Sequence, residues 1–325
     1  MGWIGRLAFA LAAGLAWSSP SLAQQGDPVE LAFRPHPGAE WQTESRFVIS
    51  IEAWMGPRED RSKTLQRTRM ANMIMFANKV GERDLDGNSV MTTSPMRMSR
   101  DMSSYALEAG ETSNKFDTEA ADPSTLDPET RDFVTQFKAV RFYRTLDPQG
   151  RMVDYRAEPE GNPLTATLAA GSASELGNDT EKFPDHPVRV GDKWQIGPLK
   201  GEATISGEGT GALEYMLDAE LVAIETRNGA RHALVRMVAN TAKHLRDETV
   251  PGYGLEGFKV SSYYEFDLDQ GRRVDAKLEM VFGLWAFEID RNDLIHAEQR
   301  LETREHDVNG SGWMIDPAVA AGDKP

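Results

Sequence analysis

Ser261-Ser262-Tyr263-Tyr264-Glu265-Phe266-Asp267-Leu268-Asp269-Gln270-Gly271-Arg272-Arg273-Val274-Asp275-Ala276-Lys277-Leu278-Glu279-Met280-Val281-Phe282 is the stretch that decides the fold. Ser262, Tyr264, Phe266 and Leu268 alternate with Ser261, Tyr263, Glu265 and Asp267, and beyond the Gln-Gly turn Val274, Ala276, Leu278, Met280 and Phe282 alternate with Asp275, Lys277 and Glu279. A period of two with one apolar face is the pattern of a half-buried antiparallel hairpin. Phe47, Ile49, Ile51 and Ala53, opposite Arg46, Ser50 and Glu52, form a second such face near the start of the chain.

Working outward, three landmarks recur in the same order. Gly38-Ala39-Glu40-Trp41 returns as Gly191-Asp192-Lys193-Trp194. Val80 to Gly87 parallels Val222 to Gly229, each a strand running into an Asp-Gly or Asn-Gly turn of the type I′ kind. Leu146-Asp147-Pro148-Gln149-Gly150-Arg151 answers Leu268-Asp269-Gln270-Gly271-Arg272. Repetition at this spacing implies two related units. The expected organisation is a signal peptide over 1–23, a first strand-rich repeat over 24–160, a helical linker over 161–180, a second strand-rich repeat over 181–313 and a disordered tail over 314–325. The expected fold is mainly β, two related curved antiparallel sheets of half-barrel form with a few helices. One helix is predicted from Pro128 to about Lys138, with Phe133, Val134 and Phe137 on one stripe, and another from Pro163 to Leu176 capped by Asn162. The Ser/Thr/Asp/Glu-rich segment from Ser99 to Asp127 is read as a long surface loop.

The N-terminus carries Arg6, an apolar run from Leu7 to Trp17 and Ser21-Leu22-Ala23, which reads as a cleavable export signal with the mature chain starting at Gln24, and the location expected is the periplasm. The run is too short to span a bilayer, so no membrane-spanning segment is expected after cleavage. Loss of Arg6 moves the formal net charge from −15 to −16. An acidic chain without a segregated basic patch disfavours nucleic acid as a partner. With no cysteine there is no disulfide, thiolate metal site or thiol nucleophile.

The segment Phe183-Pro184-Asp185-His186-Pro187-Val188-Arg189-Val190-Gly191-Asp192-Lys193-Trp194 resembles the signature of a family of exported bacterial proteins of unknown function, in which two copies of a strand-rich unit meet at a Pro-x-x-Val-x-Val-Gly-Asp-x-Trp junction. The likeness covers most of residues 29 to 282. It implies a fold and an exported location, and no active site.

Chemical motifs are sparse. The six histidines have no metal-ligand spacing, the Gly207-Glu208-Gly209-Thr210-Gly211 run lacks the helix and Lys-Ser/Thr of a phosphate loop, and no nucleophile elbow is present. No catalytic residue, metal ligand or cofactor is therefore assigned. Asp84 to Asn88 opens like a calcium loop, yet the position of its bidentate Glu falls on Pro95 and the hairpin reading wins. Methionine is the uneven feature: Met70, Met73, Met75, Met91, Met96, Met98 and Met102 are half of the chain's 14. Flexible thioethers pack adaptably around apolar partners. The candidate ligand-binding residues are Met73, Met75, Met96, Met98 and Phe142, on a concave apolar face holding a hydrophobic small molecule, lipid or peptide. Core packing and soft-metal binding are the competing uses of the methionines. The functional expectation is a non-catalytic periplasmic binding or envelope-associated protein. The alternative is an exported carboxylate-dependent hydrolase, which requires acids of raised pKa at a cleft. A mean hydropathy of −0.50 disfavours an outer-membrane barrel.

Overall fold

The structure, a computed structural model, describes residues 27–119, 128–148, 150–162, 165, 183–205, 209–245, 253–288 and 293–308. The expected signal peptide, the tail and, beyond an Asn162 side chain that accepts from the Thr165 amide at 3.4 Å, the linker helix lie outside the described residues.

The protein is mainly β. Its strands are β1 (Glu40–Met55), β2 (Thr64–Arg83), β3 (Ser89–Ala106), β4 (Gly110–Asp117), β5 (Arg141–Leu146), β6 (Met152–Glu158), β7 (Lys193–Ile205), β8 (Gly209–Arg227), β9 (Ala230–Ala239), β10 (Lys243–Leu245), β11 (Tyr253–Asp267), β12 (Arg272–Glu288) and β13 (Asp293–Asp307). The one α-helix among the described residues, α1 (Pro128–Ala139), follows β4. All 13 strands belong to one antiparallel sheet, in the order β10, β8, β9, β11, β12, β13, β1, β2, β3, β5, β6, with β4 on β3 and β7 on β8. The two expected sheets are thus continuous: β13 pairs with β12 on one side and with β1 on the other, along 13 or more residues each. The sheet is not closed into a barrel, since β6 and β7 at its two ends do not pair with each other among the described residues. No helix among the described residues is long and apolar enough to cross a membrane.

The sequence landmarks fall at matching places in this order. Trp41 and Trp194 are the second residues of β1 and β7. The Asp86-Gly87 and Asn228-Gly229 turns join β2 to β3 and β8 to β9, and the two Gln-Gly turns join β5 to β6 and β11 to β12. Trp41 is buried with Val80, Met91 and Leu146, whereas Trp194 is half-buried at the sheet's end, where fewer strands flank it.

As far as Asp117 the expected Ser99–Asp127 loop is strand instead, and residues 120–127 lie outside the described residues. Ser99 to Ala106 completes β3 and Gly110 to Asp117 returns as β4, in register from Ser99 with Asp117 to Ala106 with Gly110. The composition misled because β4 is exposed along most of its length, so its side chains carry no apolar alternation.

Alternation gives the sheet one apolar and one charged face. The apolar face is concave, because Phe33 packs both against the cluster carried by β7 to β12 and against Trp41, Val80, Met91 and Leu146 on β1, β2, β3 and β5. Packing of one side chain against strands on both sides of β13 requires the sheet to curl around it. The chain from Val29 to Arg34 is the strap that does this. Val29 pairs with Val188 through two hydrogen bonds of 2.8 and 2.9 Å, and the Arg34 amide donates to the Gly271 carbonyl at 2.7 Å. Phe33 and Arg34 then pass between the two Gln-Gly turns: a Cβ at Gly150 would lie 1.9 Å from the Phe33 carbonyl oxygen, and one at Gly271 would lie 2.5 Å from that of Arg34. Both glycines also have positive φ, 80° and 62°. The other face is laced with ion pairs such as Arg67 to Glu52 (2.7 Å), Arg97 to Asp117 (2.6 Å) and Arg236 to Glu220 (2.6 Å). Helix α1 lies on the concave face, with Phe137 fully buried on Ile74 and Met98 and stacked on Phe133 at 6.2 Å.

Gly150→Ala is expected to cost roughly 3 kcal/mol or more in urea unfolding, because it adds a backbone collision to the cost of positive φ. Gly229→Ala, also at positive φ (86°) but with open space around it, is the control and should cost about 1–2 kcal/mol. Equal costs would show that the strap does not press on the turn.

Candidate ligand-binding trough

Register places an apolar row straight across the concave face. Met102 of β3 pairs with Met70 of β2, Met70 with Ile49 of β1, Ile49 with Leu301 of β13, Leu301 with Met280 of β12, Met280 with Val260 of β11, and Val260 with Ala239 of β9. Directly opposed side chains in a sheet sit within contact range of each other. Val260 and Ala239 are buried in the large core cluster, whereas Met102, Met70, Ile49, Leu301 and Met280 are only half-buried. Four of these five, all but Met280, belong to no core cluster. Apolar side chains at the centre of a curled sheet bury completely when something packs on them, and these do not. They form an incompletely covered apolar strip on the concave face, called the trough below.

Its walls follow from the neighbouring levels. On the side of the strap, Ile74 and Met98 lie under Phe137 of α1 with Phe47 packed against the same cluster, and Asn72, Arg100 and Phe116 share Phe47's level beside the row. The Phe116 ring meets Phe133 of the helix edge to face at 5.5 Å. On the far side of the row, Thr68 and Ser104 share a hydrogen bond of 3.1 Å beside Ile51.

The residues expected to bind ligand do not share one surface. Met73 and Met75 oppose Arg46 and Glu44, so they project from the charged face, where Met73 joins Arg46, Val48, Ala71 and Lys115 in lining a shallow groove of about 670 Å³. Met98 is buried beneath Phe137, and Phe142 is buried against Tyr155 at 6.4 Å. Met96 is the extra residue of a bulge between the Met75–Arg97 and Phe76–Pro95 pairs, and is exposed. A shift of one residue sends a side chain to the opposite face. The methionine cluster is therefore split, and its members that reach the trough are Met70 and Met102, which pair directly. Alternation in Met70, Asn72, Ile74 against Arg69, Ala71, Met73 carries that signal in the sequence.

The alternative reading requires an accessible acid of raised pKa. Burial pushes the Asp275 carboxyl up to about 6, partly offset by Arg304 at 3.8 Å. Asp275 is on the charged face in line with Lys277 and Glu279, is 1% exposed, and lines none of the described cavities. His232, also buried, has its pKa lowered chiefly by burial and lies 2.9 Å from the buried Glu265. A general acid must reach its substrate. Asp275 has the raised pKa and, among the described cavities, no cleft.

The raised pKa has a consequence for stability. Because the folded value exceeds the ordinary 3.8, folding favours the protonated acid, so the ionised form costs about 3 kcal/mol above pH 7 and this cost is relieved as pH falls from 7 toward 4. Asp275→Asn should raise stability by roughly 2 kcal/mol at pH 8, with the gain vanishing near pH 4. Urea unfolding across that range checks it; a variant less stable than the parent at pH 8 contradicts it.

No family model matches the sequence, and no curated protein matches it. Among solved structures, lipovitellin in a study of lipid–protein interactions is similar at 11% identity with a TM-score of 0.39, covering 86% of this chain and 26% of its own. An outer membrane channel from Pseudomonas putida F1 is similar at 10% identity and a TM-score of 0.22, covering 87% of this chain and 100% of its own. DynF of the dynemicin biosynthesis pathway of Micromonospora chersina is similar at 8% identity and a TM-score of 0.18, covering 93% and 92%. The chain thus spans about a quarter of the length of lipovitellin, and TM-scores this low fix neither topology nor function.

Proposed function

We propose that the protein is a non-catalytic carrier or receptor of the cell envelope that holds an elongated apolar ligand, a lipid or other hydrophobic molecule, in the concave trough. The observation that carries this reading is the half-buried row Met102, Met70, Ile49, Leu301 and Met280, continuous across five neighbouring strands. Four interstrand steps of about 4.8 Å make that row about 19 Å long. Burial of one methylene contributes about 0.8 kcal/mol, so a chain of roughly ten methylenes laid along it gains about 8 kcal/mol, a micromolar affinity before ordering costs. Methionines at both ends suit a ligand of variable shape.

The location in this reading is the periplasm, reached through cleavage after Ala23. The two repeats are copies of one meander, β1 to β6 and β7 to β12, with β13 as the added strand that joins the end of the second to the start of the first. The matching order of strands and turns supports the duplication. The resemblance carried by Phe183 to Trp194 belongs to the same proposal.

Native mass spectrometry of protein purified from its own cells, followed by lipid extraction, tests the reading. The expected result is a polypeptide starting at Gln24 with a bound hydrophobic species. Ile49→Asn and Leu301→Asn should each abolish the bound mass while the circular dichroism spectrum is kept, and Met73→Asp on the opposite face should leave it in place. Protein free of any bound species, with the neutral apolar dye N-phenyl-1-naphthylamine bound equally by parent and trough variants, overturns it.

A further inference from the structure

Arg100 is the one charged side chain on the concave face of β1, β3, β4 and of β2 from Thr64 to Val80 among the described residues; on these stretches that face otherwise carries Trp, Thr, Ser, Phe, Ile, Ala, Gln, Met, Asn, Val, Pro and Gly. It stands two residues before Met102 on β3, so it shares Met102's face and borders the end of the apolar row. Its placement is held from two sides. Asn72, 4% exposed, accepts from the Arg100 Nε at 3.0 Å, and Phe116, Arg100's register partner on β4, packs edge to face on α1. Nε is thereby occupied, and the two terminal nitrogens of the exposed guanidinium make no ion pair among the described residues: every carboxylate on the neighbouring part of β3 and β4, Asp101 and Asp117, belongs to the other face and is engaged by Lys115 (3.1 Å) and Arg97 (2.6 Å). Farther along the concave face, Glu305 is paired with Arg273 at 2.7 Å and Asp307 with Arg272.

A fork of two unengaged N–H-bearing nitrogens, oriented by a buried amide at the end of an apolar trough, matches the geometry of a carboxylate or phosphate oxygen pair. From this, and resting on the trough reading above, we infer that the ligand is a long-chain amphiphile with an anionic head, the head on Arg100 at the edge of α1 and the chain running from Met102 over Met70 and Ile49 toward Leu301 and Met280. A neutral ligand would leave the cation at the trough's margin without use, and a cationic one would be repelled by it. Selectivity among amphiphiles of equal chain length then lies in a single side chain.

The experiment is displacement of N-phenyl-1-naphthylamine from the mature chain by hexadecanoate, hexadecyl phosphate, hexadecanol and hexadecyltrimethylammonium, all below their critical micelle concentrations. In the parent protein either anion should compete at least about 10-fold more tightly than hexadecanol, the increment expected of a charge-assisted hydrogen bond, and the ammonium more weakly than hexadecanol. Arg100→Gln should bring the anions to the level of hexadecanol while hexadecanol itself is unchanged, and Arg100→Lys should keep part of the preference. The relative standing of hexadecanoate and hexadecyl phosphate reports whether the head is a carboxylate or a phosphate. Thermal unfolding of the variants within a degree or two of the parent establishes that the fold is kept; should Arg100→Gln unfold, charge reversal of the ligand series on the parent still decides. Equal competition by all four amphiphiles, in parent and variant alike, overturns the role of Arg100 and leaves the trough intact. Failure of the dye and all four amphiphiles to bind overturns the trough reading itself.

Discussion

The passage of Phe33 and Arg34 between Gly150 and Gly271 is the constraint on which the rest of the molecule depends. A wide open sheet twists, but nothing in strand pairing alone fixes how far it curls. Here two carbonyls of consecutive residues press on two turns from opposite sides, at distances that admit no side chain at either glycine. The Phe33 ring meanwhile packs on strands from both halves of the sheet. Pinned at this end, the strands enclose a concave apolar face that α1 roofs near Ile74 and Met98, with Phe47 and Phe116 packed at the edge of that roof and the Met70 to Leu301 row only half-buried beyond it. Arg272 reinforces the same end by lying over Trp41 at 4.9 Å while paired with the buried Asp307.

The uneven burial of the apolar face is what the proposed site rests on. Toward β7, β8 and β9 the face is filled by Val29, Leu31 and Val188 from the strap and its partner segment, and toward β3 by Phe133 and Phe137 from α1. Between these two fillings runs the row of Met70, Ile49 and Leu301, which neither reaches. A protein with a core on both sides of an unfilled apolar strip can keep its fold whether or not the strip is occupied, which is the property a carrier needs.

Much of the fold was legible in the sequence. The Phe47 to Ala53 and Ser262 to Phe282 alternations mark strands of the central sheet with the correct inward face, and Pro128 with Phe133 and Phe137 marks the helix. The repeated Gly-x-x-Trp and Gln-Gly elements fall at strand starts and turns. Two features were hidden for physical reasons. β4 is an exposed partner strand whose order comes from hydrogen bonds to β3, so its side chains carry no pattern. The continuity of the sheet rests on β13, whose outward residues Glu298, Arg300, Glu302 and Arg304 are easily read as surface while their pairing with β1 and β12 is invisible in one dimension.

The site was half legible. Ile49 and Met280 stand on the apolar faces that the alternation marks, but the methionine cluster is a group by proximity in sequence: Met73 and Met75 flank Ile74 on β2 and so face away from Met98, its partner on β3, while the bulge at Met96 changes the phase within β3 so that Met91 and Met98 share a face. Arg100 carried no signal at all, because its meaning comes from Asn72, 28 residues away, and from the absence of other charge around it. The most direct measurement of the central claim is the methyl spectrum of the protein labelled with 13C-methyl methionine, recorded with and without a long-chain amphiphile. The account predicts that Met70, Met102 and Met280 shift together on binding while Met73 and Met75 on the charged face and Met91 in the closed core stay in place; shifts at Met73 and Met75 with Met70 and Met102 unmoved would contradict it.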